Sequence, residues 1–269
     1  MEQTIGFIGC GNMGKAILGG LIASGLVPAQ HIRVYNRSAD SVAAIVREYG
    51  VRGAADASEA ARDSDVIIIG VKPAGVTGVL KQISGVLRPE TIVISIAAGV
   101  TLETLQGALP ERQKAVRVMP NTPALVNAGM SSITPNEYLT QDDTENVVRL
   151  FSSFGKAEVV PESLIHAVVG VSGSAPAYVF MFIEAMADAA VLGGMPRAQA
   201  YEFAAQAVLG SAKMVLESGK HPGALKDMVC SPGGTTIEAV KVLEEQGLRA
   251  AVINAIQHCM QKSEVMSRG

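Results

Sequence analysis

The sequence predicts an α/β N-terminal domain, a doubly wound sheet of the Rossmann type, followed by an all-α C-terminal domain. Three observations lead there. Short apolar runs alternate with helical patterns from residue 4 to about 120, a Gly-x-Gly-x-x-Gly string closes the first run, and beyond Pro161 no strand pattern recurs. Strands are expected at 4–9, 32–36, 51–54, 65–71, 91–96 and 115–119, with helices at 13–24, 39–49 and 76–86 between them. Val66-Ile67-Ile68-Ile69 and Ile92-Val93-Ile94 are continuous rather than alternating, the pattern of strands covered on both faces. Two further strands, 128–134 and 154–160, flank a helix at 141–151 and complete the first domain. The boundary near 161–163 gives a domain 1–161 and a domain 162–269, the second with Ala, Met and Leu at helical spacing. In it, Gly193-Gly194-Met195-Pro196 breaks one helix and starts another that runs to about Ser218, and 218–223 is a loop. The polar end, 261–269, is expected to fray.

The 269 residues are 48% apolar but only 4% aromatic and 17% charged, which excludes a disordered chain. Alanine and glycine together make up about a quarter of them, so much small apolar surface must be buried somewhere. A net charge of −3 offers no basic footprint for nucleic acid. Cys10, Cys230 and Cys259 are too few and too scattered for a disulfide framework or a metal site, which suits a reducing, cytoplasmic setting. The N-terminus lacks the basic stretch of a signal peptide. Residues 164–183 carry no Asp, Glu, Lys or Arg and match a bilayer span in length. Gly173-Ser174-Ala175-Pro176 interrupts that stretch, Glu184 and Asp188 follow it and basic flanks are missing, so a buried helix, not a membrane one, is expected.

Gly9-Cys10-Gly11-Asn12-Met13-Gly14 lies between a strand and a helix, the context in which the string binds a dinucleotide. Gly9 permits the tight turn, Gly11 lets a pyrophosphate approach the backbone, and Gly14 allows close helix–strand packing. The helix start then supplies N–H groups and dipole to the phosphates. Cys10 reads as a small filler. The second strand ends in Asn36-Arg37-Ser38, where an NAD site would carry an acid. Arg37 can pair with a 2′-phosphate, Asn36 and Ser38 can donate to it, and Asp40 is expected inside the next helix, so NADPH is the expected cofactor, with NADH as the weaker one. The loops Val71-Lys72-Pro73 and Ala97-Ala98-Gly99 follow strands on the same ligand edge.

In the helical half, Ser231-Pro232-Gly233-Gly234-Thr235-Thr236 precedes a helical pattern, and Thr235 with Glu238 has capping-box spacing. Backbone N–H groups at that helix start can hold a carboxylate or phosphate, with the Ser231 and Thr236 hydroxyls beside them; the plainer alternative is a well-capped helix after a turn. No Lys lies between Lys156 and Lys213, and His166 on an apolar face reads as a satisfied core histidine. A dehydrogenase acting on alcohols needs a base for the hydroxyl proton, whereas a C=N acceptor that arrives protonated needs no strong acid from the protein.

The string 8–14, Val71-Lys72-Pro73, Arg117-Val118-Met119-Pro120-Asn121-Thr122-Pro123 and above all the 227–236 stretch resemble pyrroline-5-carboxylate reductase, over residues 4 to about 260. The resemblance implies NADPH-dependent reduction of a cyclic imine carboxylate to L-proline, the last step of proline biosynthesis, by a homo-oligomer built through the helical domain. Carried over by position, Thr236 would hydrogen-bond the imine nitrogen, the Gly233, Gly234 and Thr235 amides would hold the carboxylate, and Ser231 would support that loop. Asn121 and Thr122 would border the nicotinamide. Ala175 stands where many members have Gly. Two other readings remain: a β-hydroxyacid dehydrogenase relative, which would want a catalytic Lys on the first long helix of the second domain, and a non-catalytic NADP-binding sensor. Neither a nucleic-acid nor a membrane partner is expected.

Overall fold

A computed structural model describes residues 3–267. The first part of the chain is one sheet wrapped by helices. Its strands are β1 (Ile5–Ile8), β2 (Ile32–Tyr35), β3 (Arg52–Gly53), β4 (Val66–Ile69), β5 (Ile92–Ser95), β6 (Ala115–Met119), β7 (Gly129–Pro135) and β8 (Gly155–Val159). The order across the sheet is β3-β2-β1-β4-β5-β6-β7-β8, and every neighbouring pair is parallel except β6 with β7. Chain order reverses between β1 and β4, which places the ligand edge at the carboxyl ends of those two strands.

The helices α1 (Asn12–Ala23), α2 (Ala39–Tyr49), α3 (Ala57–Ala61), α4 (Val76–Ile83), α5 (Leu102–Gln106) and α6 (Gln141–Ser152) cover the sheet. All four residues of β1 and of β4 are buried, as their unbroken apolar runs require. One face of the sheet packs Phe7, Ile17, Leu21, Phe151 and Phe154, the last two edge to face at 5.5 Å between ring centroids. The other face packs Ile8, Ile67, Ile69, Leu80 and Leu105.

The remaining helices are α7 (Ile165–Val168), a π-helical turn (Val169–Gly173), α8 (Ala175–Leu192), α9 (Arg197–Ser218), α10 (Pro222–Val229), α11 (Thr235–Glu245) and α12 (Leu248–Ser267). By its internal contacts the chain forms two compact units, Met1–Ser174 with Cys259–Gly269, and Ala175–His258. The end of the chain is therefore a correction to the expected fraying. Helix α12 continues to Ser267, because Ser263 is buried and its hydroxyl meets His166 Nδ1 at 2.9 Å. That bond also gives His166 the partner expected of a structural histidine. Residues 268 and 269 lie outside the described ones.

The second unit differs sharply from the first. Among residues 175–258 the only buried apolar side chains are Ala187, Ala200 and Ala204. Of the 164–183 stretch, expected to be buried, Ile165 and Gly170 are buried and most residues are half-buried, whereas Phe180 at 63% and Met181 at 69% are exposed in the single chain. The helical run Glu162–Leu192 is long and apolar enough to cross a membrane by length and composition. Three buried alanines do not make a core for a unit of this size, and its larger apolar side chains are left at the surface of the single chain.

Arg117 in β6 is buried, and its Nη1 reaches Glu162 Oε1 at 2.9 Å, just where the helical part begins. The same oxygen accepts the Leu102 N–H at the start of α5. Arg117→Met is expected to lower unfolding free energy by about 2 kcal/mol, below the usual cost of breaking a buried pair because Glu162 keeps access to water. Urea denaturation of both proteins measures it, and an unchanged midpoint would contradict it.

Candidate functional site

The candidate nucleotide site lies in the first unit, at the turn between β1 and α1. Gly9 has φ +88°, and its N–H donates to Tyr35 O at 2.9 Å. Gly11, the N-cap of α1, has no side-chain cap and nothing within 4 Å of where a Cβ would stand. A Cβ on Gly14 would meet Gly9 O at 3.2 Å, so helix and turn do pack as closely as the third glycine implies. An open, uncapped helix start of this kind suits a diphosphate. Cys10 is buried, and burial pushes its thiol up to about 12, so it stays protonated and serves as packing.

At the end of β2, Arg37 is exposed and makes no ion pair among the described residues. Ser38 caps α2 by accepting the Ser41 N–H, and Asp40 falls in the first turn of that helix as expected. Asn36 points differently from the expectation that it faces a phosphate. Its Oδ1 accepts the Cys10 N–H at 2.6 Å, while its Nδ2 donates to Cys10 O at 3.3 Å and to Ser41 Oγ at 2.8 Å.

The other loops of the edge are less uniform. Val71 packs on the turn, for a Cβ on Gly9 would lie 2.5 Å from Val71 Cγ1, and Lys72 and Pro73 are exposed beside it. Ala97 is buried and Ala98 exposed, whereas Gly99, at φ +80°, sits under the end of α12 with Met266 O 3.4 Å from its would-be Cβ.

Asn121 is buried and spent on structure too. Its Oδ1 accepts the Met130 N–H at 2.8 Å, and its Nδ2 donates to Ser172 O at 3.2 Å. Pro176 has no N–H, so it cannot supply the usual helical donor to the carbonyl four residues back, and the Asn121 amide takes that oxygen instead. The π-turn holding Ser172 was not foreseen, although π-turns gather at functional sites. A proline four residues after a serine, in a Gly-rich stretch, was the available signal.

In the second unit, Ser231-Pro232-Gly233-Gly234 joins α10 to α11. Gly233 has φ +65°, a conformation few other residues adopt. The Gly234 N–H donates to Ser231 O at 3.0 Å, and a Cβ on Gly234 would fall 2.4 Å from Ser231 Oγ. This corrects the expected capping box. Gly234 occupies the N-cap in extended conformation with no side-chain cap, so Thr235 and Thr236 lie inside the first turn. The cause is the turn closed by the Gly234 N–H, which starts the helix one residue earlier than a Thr235 cap would. The helix start is thereby left open to an anion, with the half-buried Thr236 in its first turn. The Gly234 N–H is not among the groups left for that anion. Along α11 and α12 runs a groove of about 520 Å³, lined by Val240, Leu243, Leu248, Val252 and Ile253 with Lys226, Glu244 and Arg249.

Comparison with known proteins covers the whole chain. Residues 162–266 match the family described as pyrroline-5-carboxylate reductase dimerisation, and residues 4–99 match the family described as NADP oxidoreductase coenzyme F420-dependent. The chain is 65% identical over 268 residues to pyrroline-5-carboxylate reductase of Escherichia coli (strain K12), with 100% of both covered. Among solved structures, a pyrroline-5-carboxylate reductase from Coxiella burnetii superposes with a TM-score of 0.93 at 35% identity, covering 99% of each chain. The Plasmodium falciparum pyrroline carboxylate reductase with NADP bound gives 0.89 at 30% identity, covering 98% of each.

Proposed function

The chain belongs to the pyrroline-5-carboxylate reductase family, and from that premise we propose how its residues perform the reaction. It is an NADPH-dependent oxidoreductase that reduces the cyclic imine 1-pyrroline-5-carboxylate to L-proline, the last step of proline biosynthesis. The observation that carries this is the 65% identity spanning the full chain, nucleotide turn and helical part together.

The open start of α1 and the space at Gly11 fit a dinucleotide diphosphate, with the turn 9–14 as the cradle. Bound NADPH supplies the hydride. Arg37, exposed at the start of α2, pairs with the 2′-phosphate, and Ser38 donates beside it. The loops Val71-Lys72-Pro73 and Ala97-Ala98-Gly99 edge the cofactor space, and Asn121 fixes the strand end bordering the nicotinamide. Arg37→Ala is expected to raise KM for NADPH about tenfold and leave KM for NADH within about twofold. Steady-state titration of both dinucleotides decides it; an unchanged ratio removes Arg37 from the site.

Residues 1–161 thus serve the cofactor and 162–269 the substrate and assembly. At the start of α11, Gly233 and Thr235 amides hold the substrate carboxylate, Ser231 closes the turn that presents them, and the Thr236 hydroxyl meets the imine nitrogen. Hydride addition to the protonated C=N gives the neutral secondary amine directly, so no protein acid is needed, in keeping with the stretch 164–195, whose only Asp, Glu, Lys or Arg residues are Glu184 and Asp188. Spectrophotometric NADPH oxidation with pyrroline-5-carboxylate, against 3-hydroxy acids with NADP, tests the assignment; no oxidation with the imine overturns it.

The exposed apolar side chains of α8 and α9, Phe180, Met181, Phe203 and Leu209 among them, support a homo-oligomer in which subunits cover these helices. Light scattering at micromolar concentration is expected to give a dimer or larger, and a monodisperse active monomer would refute it. Three unpaired cysteines support a cytoplasmic enzyme.

A further inference from the structure

We propose that Asn36 is a positioning residue for the diphosphate-binding turn, acting equally on NADPH and NADH, and not a ligand of the 2′-phosphate. The inference rests on the reductase reading above. A primary amide offers two N–H donors and one acceptor oxygen. Both kinds of group on Asn36 are engaged within the protein. Oδ1 takes the Cys10 N–H at 2.6 Å, and Nδ2 serves Cys10 O at 3.3 Å and Ser41 Oγ at 2.8 Å. The side chain therefore brackets one residue of the turn from both sides, 26 positions away in sequence.

The bracketed residue is the one between Gly9, where the chain takes φ +88°, and the uncapped start of α1. Fixing Cys10 fixes the direction in which the next N–H groups leave the turn. With the Cys10 N–H turned to Asn36, the amides from Gly11 onward are the ones that serve a diphosphate. Through Ser41 the same amide ties this turn to the first turn of α2, whose start Ser38 caps. The diphosphate is common to both dinucleotides, whereas the 2′-phosphate belongs to NADPH alone. A bracket on the turn and a contact to the 2′-phosphate therefore leave different signatures.

The test is equilibrium titration of the purified protein with NADPH and with NADH, followed by nicotinamide fluorescence, for wild type, Asn36→Ala, Ser41→Ala and Arg37→Ala. Asn36→Ala is expected to raise both dissociation constants about tenfold, as loss of one or two neutral hydrogen bonds would, with their ratio kept within about twofold. Ser41→Ala, which keeps the bracket and loses one support, is expected to raise both about threefold. It also reads the same linkage if Asn36→Ala fails to fold. A loss confined to NADPH in Asn36→Ala, matching that of Arg37→Ala, would overturn the proposal, as would unchanged affinities in Asn36→Ala and Ser41→Ala. A wild-type protein that bound neither dinucleotide would instead bring down the reductase reading, and this inference with it.

Discussion

Gly9→Ala is expected to weaken binding of NADPH by at least about a hundredfold and to destabilise the protein by about 2 kcal/mol or more. Two costs combine. The backbone at Gly9 has φ +88°, which a β-carbon disfavours by roughly 1–2 kcal/mol. The new methyl would also stand 2.5 Å from Val71 Cγ1, 2.6 Å from Val71 N and 2.8 Å from Gly70 C. Two of those three atoms are backbone at the end of β4, so a rotamer change does not relieve the clash. The turn has to lift from the sheet, and it takes with it the Gly9 N–H bond to Tyr35 O. Displacing the amides that face the diphosphate removes their alignment, hence the large loss of affinity. Gly11→Ala separates the two effects. At φ −79°, with nothing within 4 Å of the added carbon, it is expected to leave stability unchanged while its methyl occupies the ligand's space. Fluorescence titration and urea unfolding of both variants measure these outcomes. Wild-type affinity in Gly9→Ala would contradict the account of the turn.

The centre of the sheet was legible because β4 and β5 are continuous β-branched runs that burial on both faces demands, and each of the eight strands falls within about two residues of its expected place. Helices α3 and α5 were not foreseen. Each has five residues, too few to show a helical period, and each is started by a side-chain cap, Asp56 in one case and Thr101 in the other. The glycine string announced the tight turn between β1 and α1, but the engagements of Asn36 and Asn121 did not show in sequence. Their partners include residues 26 and 51 positions away, and only the folded chain decides whether an amide faces a ligand or a neighbouring backbone.

Helices α8 and α9 show a different limit. Their composition signals burial, yet in one chain Phe180 and Phe203 remain exposed. The sequence pattern records how much must be hidden and leaves open by what. The start of α11 shows a third limit. Gly234 and Thr235 are adjacent candidates for the cap, and the choice is made by a single turn bond from Gly234 N to Ser231 O. Local pattern cannot rank two neighbours whose difference is one hydrogen bond.

That one-residue shift bears directly on the chemistry expected of Thr236. As the second residue of α11 it stands in the turn whose N–H groups are uncapped, so its hydroxyl and the amides proposed to hold the carboxylate belong to one element. Thr236→Ala is expected to lower kcat/KM for pyrroline-5-carboxylate about 10²-fold, the usual loss for one positioned donor, with most of the change in kcat. The partition follows from the division of labour: the amides still hold the carboxylate, whereas the hydroxyl meets a lone pair that exists on nitrogen only once hydride has moved. Alanine is the better helix former and Thr236 is half-buried on a helix that carries no core side chain, so folding is not expected to change. Thr236→Ser, which keeps the hydroxyl, is expected to stay within about tenfold of wild type, since only the restriction on the side-chain rotamer is lost. Steady-state kinetics in the imine at saturating NADPH distinguish the outcomes. A fall in Thr236→Ala confined to KM would make the hydroxyl a binding group alone, and wild-type kinetics would remove it from the mechanism.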